Sequence, residues 1–195
     1  MLTAIGDVMR KCYEKGWITT RDGNISLRKS LDGSISKYMY ITPKGVRKYV
    51  IHPEDIIKLE INDTPSDDVS AEFHMHRNLL VDATKTISVV HVHPTHVVAA
   101  MARGWCLKTI AQQYPEITRY TKVGLNVPYE PVGSTELATK TNLNLRDNRF
   151  DNKIVYDIVG QEFHGVCAVG ANPWDAYEHI ERLDHICQIA LLANK

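Results

Sequence analysis

The run Ile87-Ser88-Val89-Val90-His91-Val92-His93 constrains the fold more than any other stretch of the chain. It is short, largely β-branched and stopped by Pro94, so it reads as a buried strand. Residues two apart in a strand point to the same face, which aims both imidazoles at one point. Pro94 puts that point at a strand end, where open α/β sites usually lie. Two imidazoles and a third ligand from elsewhere can hold a divalent ion and leave a position for substrate. The bland alternative is a pair of histidines satisfied by ordinary polar contacts.

The rest of the pattern supplies layers for such a strand. Ile5, Val8, Met9, Cys12 and Tyr13 share one face of a predicted helix over 2–15, closed by Gly16. Asp22-Gly23-Asn24 is a turn signal, followed by strands over 25–28 and 37–42 around Asp32-Gly33, and another over 56–61. Ser70 reads as the cap of a helix carrying Phe73, His76 or Arg77, and Leu80 on one face. Helices are expected over 97–102 and 135–145, with 104–122 mostly irregular and partly helical. Strands are expected over 127–129, 154–159 and 165–170. In the last helix Asn172 is the cap and Pro173 the first position, with Tyr177, Ile180, Leu183, Ile186 or Cys187, and Ala190 in line. Helix, then strands, then mixed elements predict an α/β (mixed α+β) fold: one three-layer domain over 1–195.

Lys+Arg and Asp+Glu are both 23, so the net charge is zero, which argues against nucleic acid as a partner. No apolar run approaches the roughly 20 residues that span a bilayer. The first residues lack a basic segment followed by a long apolar one, so neither membrane nor export is expected. Cys12, Cys106, Cys167 and Cys187 are scattered without a CxxC pair and read as reduced thiols of a cytoplasmic protein.

Histidine is the outlier, with nine residues. The third ligand is open among His164, His96, His74, His76 and His52. His96, three residues past His93, could instead support the ligands from behind. His74 and His76 fall on different faces of their predicted helix and read as surface or interface residues. His179 and His185 have no metal spacing and read as structural. Glu72, in the first turn expected of its helix, is either a carboxylate favoured by the helix dipole or a base beside the ion. The turns Asp22-Gly23-Asn24 and Thr42-Pro43-Lys44-Gly45, with Ser70-Ala71, can form a nest for a phosphate, although each alone is an ordinary turn.

Taken in order, Gly23-Asn24-Ile25-Ser26, Thr42-Pro43-Lys44-Gly45, Ser70-Ala71-Glu72, His91-Val92-His93-Pro94, Gly133-Ser134-Thr135-Glu136-Leu137-Ala138 and His164-Gly165-Val166 carry a resemblance over nearly the whole chain. The sequence resembles the class II (metal-dependent) aldolase/adducin family, most of all its fuculose-phosphate aldolase branch. The resemblance implies a central, largely antiparallel sheet between helical layers and a homotetramer with active sites between subunits. It implies zinc, with Co2+ or Mn2+ possible, held by His91, His93 and His164. It implies Glu72 as acid/base, and Gly23, Asn24, Lys44, Gly45, Ser70 and Ala71 around a sugar phosphate. Tyr114 matches a proton donor from the adjacent subunit, with Tyr120 second. The implied reaction is reversible cleavage of a ketose 1-phosphate to dihydroxyacetone phosphate and an aldehyde through a metal-stabilised enediolate. Pentulose-phosphate 4-epimerases, phosphorylated keto-acid decarboxylases and methylthioribulose-phosphate dehydratases keep the same triad. An adducin-like interaction domain without catalysis would have a degraded triad. The sequence departs from the family pattern at Lys44, where threonine or serine is common, at Ala71, in place of a second serine, and at Phe163, where asparagine or histidine is common.

Overall fold

The amphipathic N-terminal stretch forms α1 (Leu2–Glu14), with Ile5, Val8, Met9 and Cys12 fully buried. Tyr13 is not on that face; it is exposed and its ring meets Tyr49. The structure is a computed structural model and describes every residue except Gly33, Thr84, Thr86, Asn148, Arg149, Asp151, Asn152, Asn194 and Lys195. The expected turn at Asp32-Gly33 therefore lies partly outside the described residues; the strands it joins are β1 (Asn24–Leu31) and β2 (Ser34–Ile41). Then come β3 (Ile57–Glu60), α2 (Phe73–Leu80), β4 (Ile87–Val92) and α3 (Thr95–Ala102). The stretch expected to be mostly irregular holds two short helices, α4 (Leu107–Gln112) and α5 (Pro115–Tyr120). It is followed by α6 (Thr135–Asn144), β5 (Arg146–Asp147), β6 (Lys153–Ile154), β7 (Ile158–Gln161), β8 (Gly165–Gly170) and α7 (Pro173–Ala193).

Six strands make one sheet in the order β3-β2-β1-β4-β8-β7, with every neighbouring pair antiparallel. β4 lies inside it and all six of its residues are buried, as a β-branched run without polar alternation requires. Its even residues Val90 and Val92 pack with α1, α3 and α7, and its odd residues Ile87 and Val89 pack with α2 and α6. Helical layers thus cover both faces.

Beyond shifts of up to three residues at the ends of β1, β2, β3, α3 and α6, three departures from the sequence reading have a physical cause in the structure. The helix expected at Ser70 starts at Phe73, because Ser70 forms a turn instead: its hydroxyl accepts from the Glu72 N–H at 3.3 Å and its carbonyl from the Phe73 N–H at 3.0 Å. Glu72 is therefore the residue before the helix, not part of its first turn. The apolar run over 154–159 is two strands, because the Val155 and Tyr156 N–H groups both donate to the Leu145 carbonyl and Asp157 N–H to that of Lys122. Over 127–129 only Val127 bridges the sheet, beside Gln161. Pro128 has no N–H with which to continue.

The C-terminal helix starts as its sequence dictates. The Asn172 side-chain oxygen accepts from the Trp174 and Asp175 N–H groups at 2.9 and 3.1 Å, and Pro173 takes the first position. Among the described residues, no helix is long and apolar enough to cross a membrane.

Candidate metal centre

Strand β4 delivers His91 on its α2 side, and the chain carries His93 just beyond the strand end. The hairpin turn from β7 to β8 brings His164 to the same place. Phe163 takes a left-handed conformation (φ 57°) there, and its side chain is 64% exposed, so it turns the chain rather than backing the histidines. Gly165 permits the approach: a Cβ at this position would lie 2.6 Å from His93 Cδ2 and clash with the Val92 carbonyl oxygen.

The available ring nitrogens of His91, His93 and His164 all lie within 4.8 Å of one another, and the Nε2 atoms of His91 and His93 are 3.1 Å apart. The remaining nitrogen of His91, Nδ1, donates to the Val166 carbonyl at 2.9 Å, which leaves Nε2 as an unprotonated lone pair facing the cluster. Burial lowers the pKa of all three rings, that of His164 to about 4 and that of His91 well below the usual imidazole value. All three are neutral near pH 7, as metal ligands must be. His164 Nδ1 is buried without a hydrogen-bond partner among the described residues. Three neutral imidazoles and an orphaned ring nitrogen fit a divalent ion.

The cluster opens into a cleft of about 360 Å³. Glu72 lines it, is 5% exposed, and accepts from the Gly133 N–H at 3.0 Å. Burial raises its pKa, and the Gly133 hydrogen bond opposes that only in part. Gly23, Asn24, Lys44, Gly45, Ser70 and Ala71 line the same cleft. Gly23 sits at φ 68° with no room for a side chain, since a Cβ would be 2.6 Å from Ile18 Cγ2. The cross-strand partner of Asn24 is His91, so the β1–β4 register sets nest and histidines side by side.

Of the five candidate third ligands only His164 joins His91 and His93. His96 bonds to Asp184, which also holds the Trp17 indole, away from the cleft. His52 heads a short 3-10 turn, and His74 is exposed. His76 overturns its reading as a surface or interface residue: it is 0% exposed and bonds within the chain to Ser26 and Asn24. Of His76 and Arg77, either of which the sequence allows on the inner face of this helix, it is His76 that is buried. His179 bonds to Thr121 at 2.8 Å, and His185 is exposed. Tyr114 is half-buried against the α1–α7 layer, and Tyr120 lines a separate cavity with His179 and Arg182, so neither enters the cleft of its own chain.

Three cleft residues were missed by sequence reasoning, Arg21, Lys48 and Val132. Lys48 is 2% exposed and donates to the Pro43 carbonyl at 2.8 Å; burial lowers its pKa to about 8. Its place three residues beyond Gly45, at the start of the short 3-10 helix that follows the nest turn, was the available signal for Lys48.

The family profile described as Class II Aldolase and Adducin N-terminal domain matches residues 3–191. An L-fuculose phosphate aldolase of Methanococcus maripaludis is 26% identical over 194 residues, covering 99% of this chain and 97% of the relative. A methylthioribulose-1-phosphate dehydratase of Bradyrhizobium sp. is 26% identical over 198 residues, covering 94% and 88%. The crystal structure of l-fuculose-1-phosphate aldolase from Thermus thermophilus superposes with a TM-score of 0.77 at 23% identity, covering 98% of this chain and 93% of that one.

Proposed function

The chain belongs to the class II aldolase and adducin N-terminal domain family, and on that premise we propose that it is a zinc-dependent aldolase. It would reversibly cleave a ketose 1-phosphate of the L-fuculose-1-phosphate type to dihydroxyacetone phosphate and an aldehyde. The observation that carries this reading is the meeting of three neutral imidazoles, a buried carboxylate and a backbone-rich nest in one cleft.

In this reading His91, His93 and His164 hold the ion. An all-imidazole set suits zinc, and also accepts cobalt or manganese where those are available. When bound, the ion supplies Lewis acidity to the carbonyl and neighbouring hydroxyl of the sugar. Gly23, Asn24, Lys44, Gly45, Ser70 and Ala71 anchor the phosphate, so binding at the non-reacting end fixes the reacting carbons. Glu72 keeps its proton to higher pH than an exposed glutamate. With Oε1 held by Gly133, Oε2 delivers that proton to C3 as the C3–C4 bond breaks, and removes it in the condensation direction. A tyrosine gives its proton to the aldehyde oxygen in the condensation direction, and in cleavage its phenolate takes that proton back from the C4 hydroxyl; Tyr114 of a neighbouring subunit is assigned that step. With it go a homotetramer with active sites between subunits, one domain over 1–195, and a cytoplasmic setting in which the four cysteines stay free.

The test is retro-aldol cleavage of a panel of ketose 1-phosphates, with and without chelator. Chelator-sensitive release of dihydroxyacetone phosphate is expected; no release from any sugar by metal-loaded protein would reject the aldolase. The second reading is a methylthioribulose-1-phosphate dehydratase, favoured by a relative of that name at the same 26% identity. Water loss from that substrate, with no dihydroxyacetone phosphate from any sugar, would establish it.

A further inference from the structure

Helix α2 packs over β1, yet the β1 side chains beneath it are Asn24, Ser26 and Arg28, each at most 7% exposed. A helix-on-sheet contact is ordinarily apolar, and buried polar groups are costly unless each is bonded. Here each is. Arg28 donates to the Leu80 and Val81 carbonyls at the end of α2 at 2.8 and 2.6 Å. His76, in the middle of α2, bonds through Nδ1 to the Ser26 hydroxyl at 2.6 Å and through Nε2 to the Asn24 side-chain oxygen.

Burial lowers the His76 pKa to about 3, so the ring carries one proton. An amide oxygen only accepts, which puts that proton on Nε2 and makes Nδ1 accept from the Ser26 O–H. The Asn24 Nδ2 group then has no protein partner among the described residues, while Asn24 lines the cleft. Released from His76, the amide could rotate and turn its oxygen towards an incoming anion.

We propose that His76 is a positioning residue: its Nε2–H holds the Asn24 oxygen so that the amide N–H groups face the cleft as anion donors, and Ser26 sets the tautomer that does so. The inference rests on the proposed role of Asn24 as a ligand of the substrate phosphate. The arrangement is anchored to the histidine cluster by the Asn24–His91 pairing.

The test is calorimetric titration of inorganic phosphate into metal-loaded protein, with metal content and melting temperature as controls. His76→Leu is expected to weaken phosphate binding roughly tenfold, the worth of one hydrogen bond to a charged group. His76→Gln, whose amide N–H can stand where Nε2–H stood, restores most of it. Combined with Asn24→Ala, His76→Leu adds nothing further. If Asn24→Ala weakens binding but His76→Leu does not, or if the two losses add, the positioning role is refuted and the phosphate nest survives. If Asn24→Ala itself leaves binding unchanged, the nest reading falls and this one with it. Should His76→Leu not fold, Ser26→Ala carries the same comparison: binding weakens in the wild-type background and not in Asn24→Ala, and any other pattern refutes the tautomer lock.

Discussion

Gly165→Ala tests whether close backbone approach assembles the metal centre. The new methyl would sit 2.6 Å from His93 Cδ2, where ordinary contact begins at 3.4 Å, so the ring or strand β8 must retreat by about 0.8 Å. The methyl also meets the Val92 carbonyl oxygen, a backbone atom of the central strand, which cannot swing aside as a long side chain would. A retreat of that size exceeds the roughly 0.5 Å within which a site geometry must be held. Overpacking of this kind costs about 1–3 kcal/mol, which in a chain of this length lowers the melting temperature by roughly 2–12 °C. The effect on metal should be larger than the effect on fold: a weakening of about 10- to 100-fold, as when a group orienting a ligand is lost. Zinc affinity by competition with a chromogenic chelator, alongside a thermal melt of the metal-free protein, separates the two. Wild-type zinc affinity together with a wild-type melt would show that the hairpin absorbs the methyl without moving His93 and His164, and the geometric argument would fail.

His93→Ala should abolish both metal retention and turnover; a metal-free variant with full activity would remove the triad from the reaction. Glu72→Gln should keep the metal and lose roughly 10²- to 10⁴-fold in turnover, so a rate near wild type would move the proton transfer elsewhere. For His76, the unfolded ring titrates near 6.5 and the folded ring near 3. Below pH 6.5 the unfolded chain therefore binds the extra proton, and stability falls with pH by up to about 1.4 kcal/mol per unit. Urea melts between about pH 6 and 4 should show His76→Gln with a shallower slope by that amount, and equal slopes would contradict the buried neutral ring.

How far the sequence reveals the site depends on whether a local period governs the residue. His91 and His93 are legible because a strand repeats every two residues, and α7 because Asn172 and Pro173 mark its start. Glu72 is legible as a residue but not in place, since Ser70 can cap a helix or close a turn and only the tertiary setting chooses. His76 shows the limit most clearly. Four residues after Glu72 puts it one helical turn on, but its burial depends on what β1 presents beneath it, and nothing in the polar residues Asn24, Ser26 and Arg28 marks that face as covered by a helix. The run over 154–159 fails for a related reason: apolar β-branched residues announce a strand, while the Leu145 and Lys122 carbonyls decide where it breaks.

The central placing of β4 also has a consequence in time. Its pairing with β1 brings Asn24 to His91, and its pairing with β8 brings the Val166 carbonyl to a ring 75 residues away along the chain. No local hairpin contains two of these parts, so the cluster forms only when the non-local pairings close, the slow step of a sheet built this way. The β1–β2 and β7–β8 hairpins can form early and still hold no ion. A metal held by the three histidines would bind only once β4 and β8 have paired, and its effect would then fall on the rate at which the finished sheet comes apart rather than on the rate at which it is made.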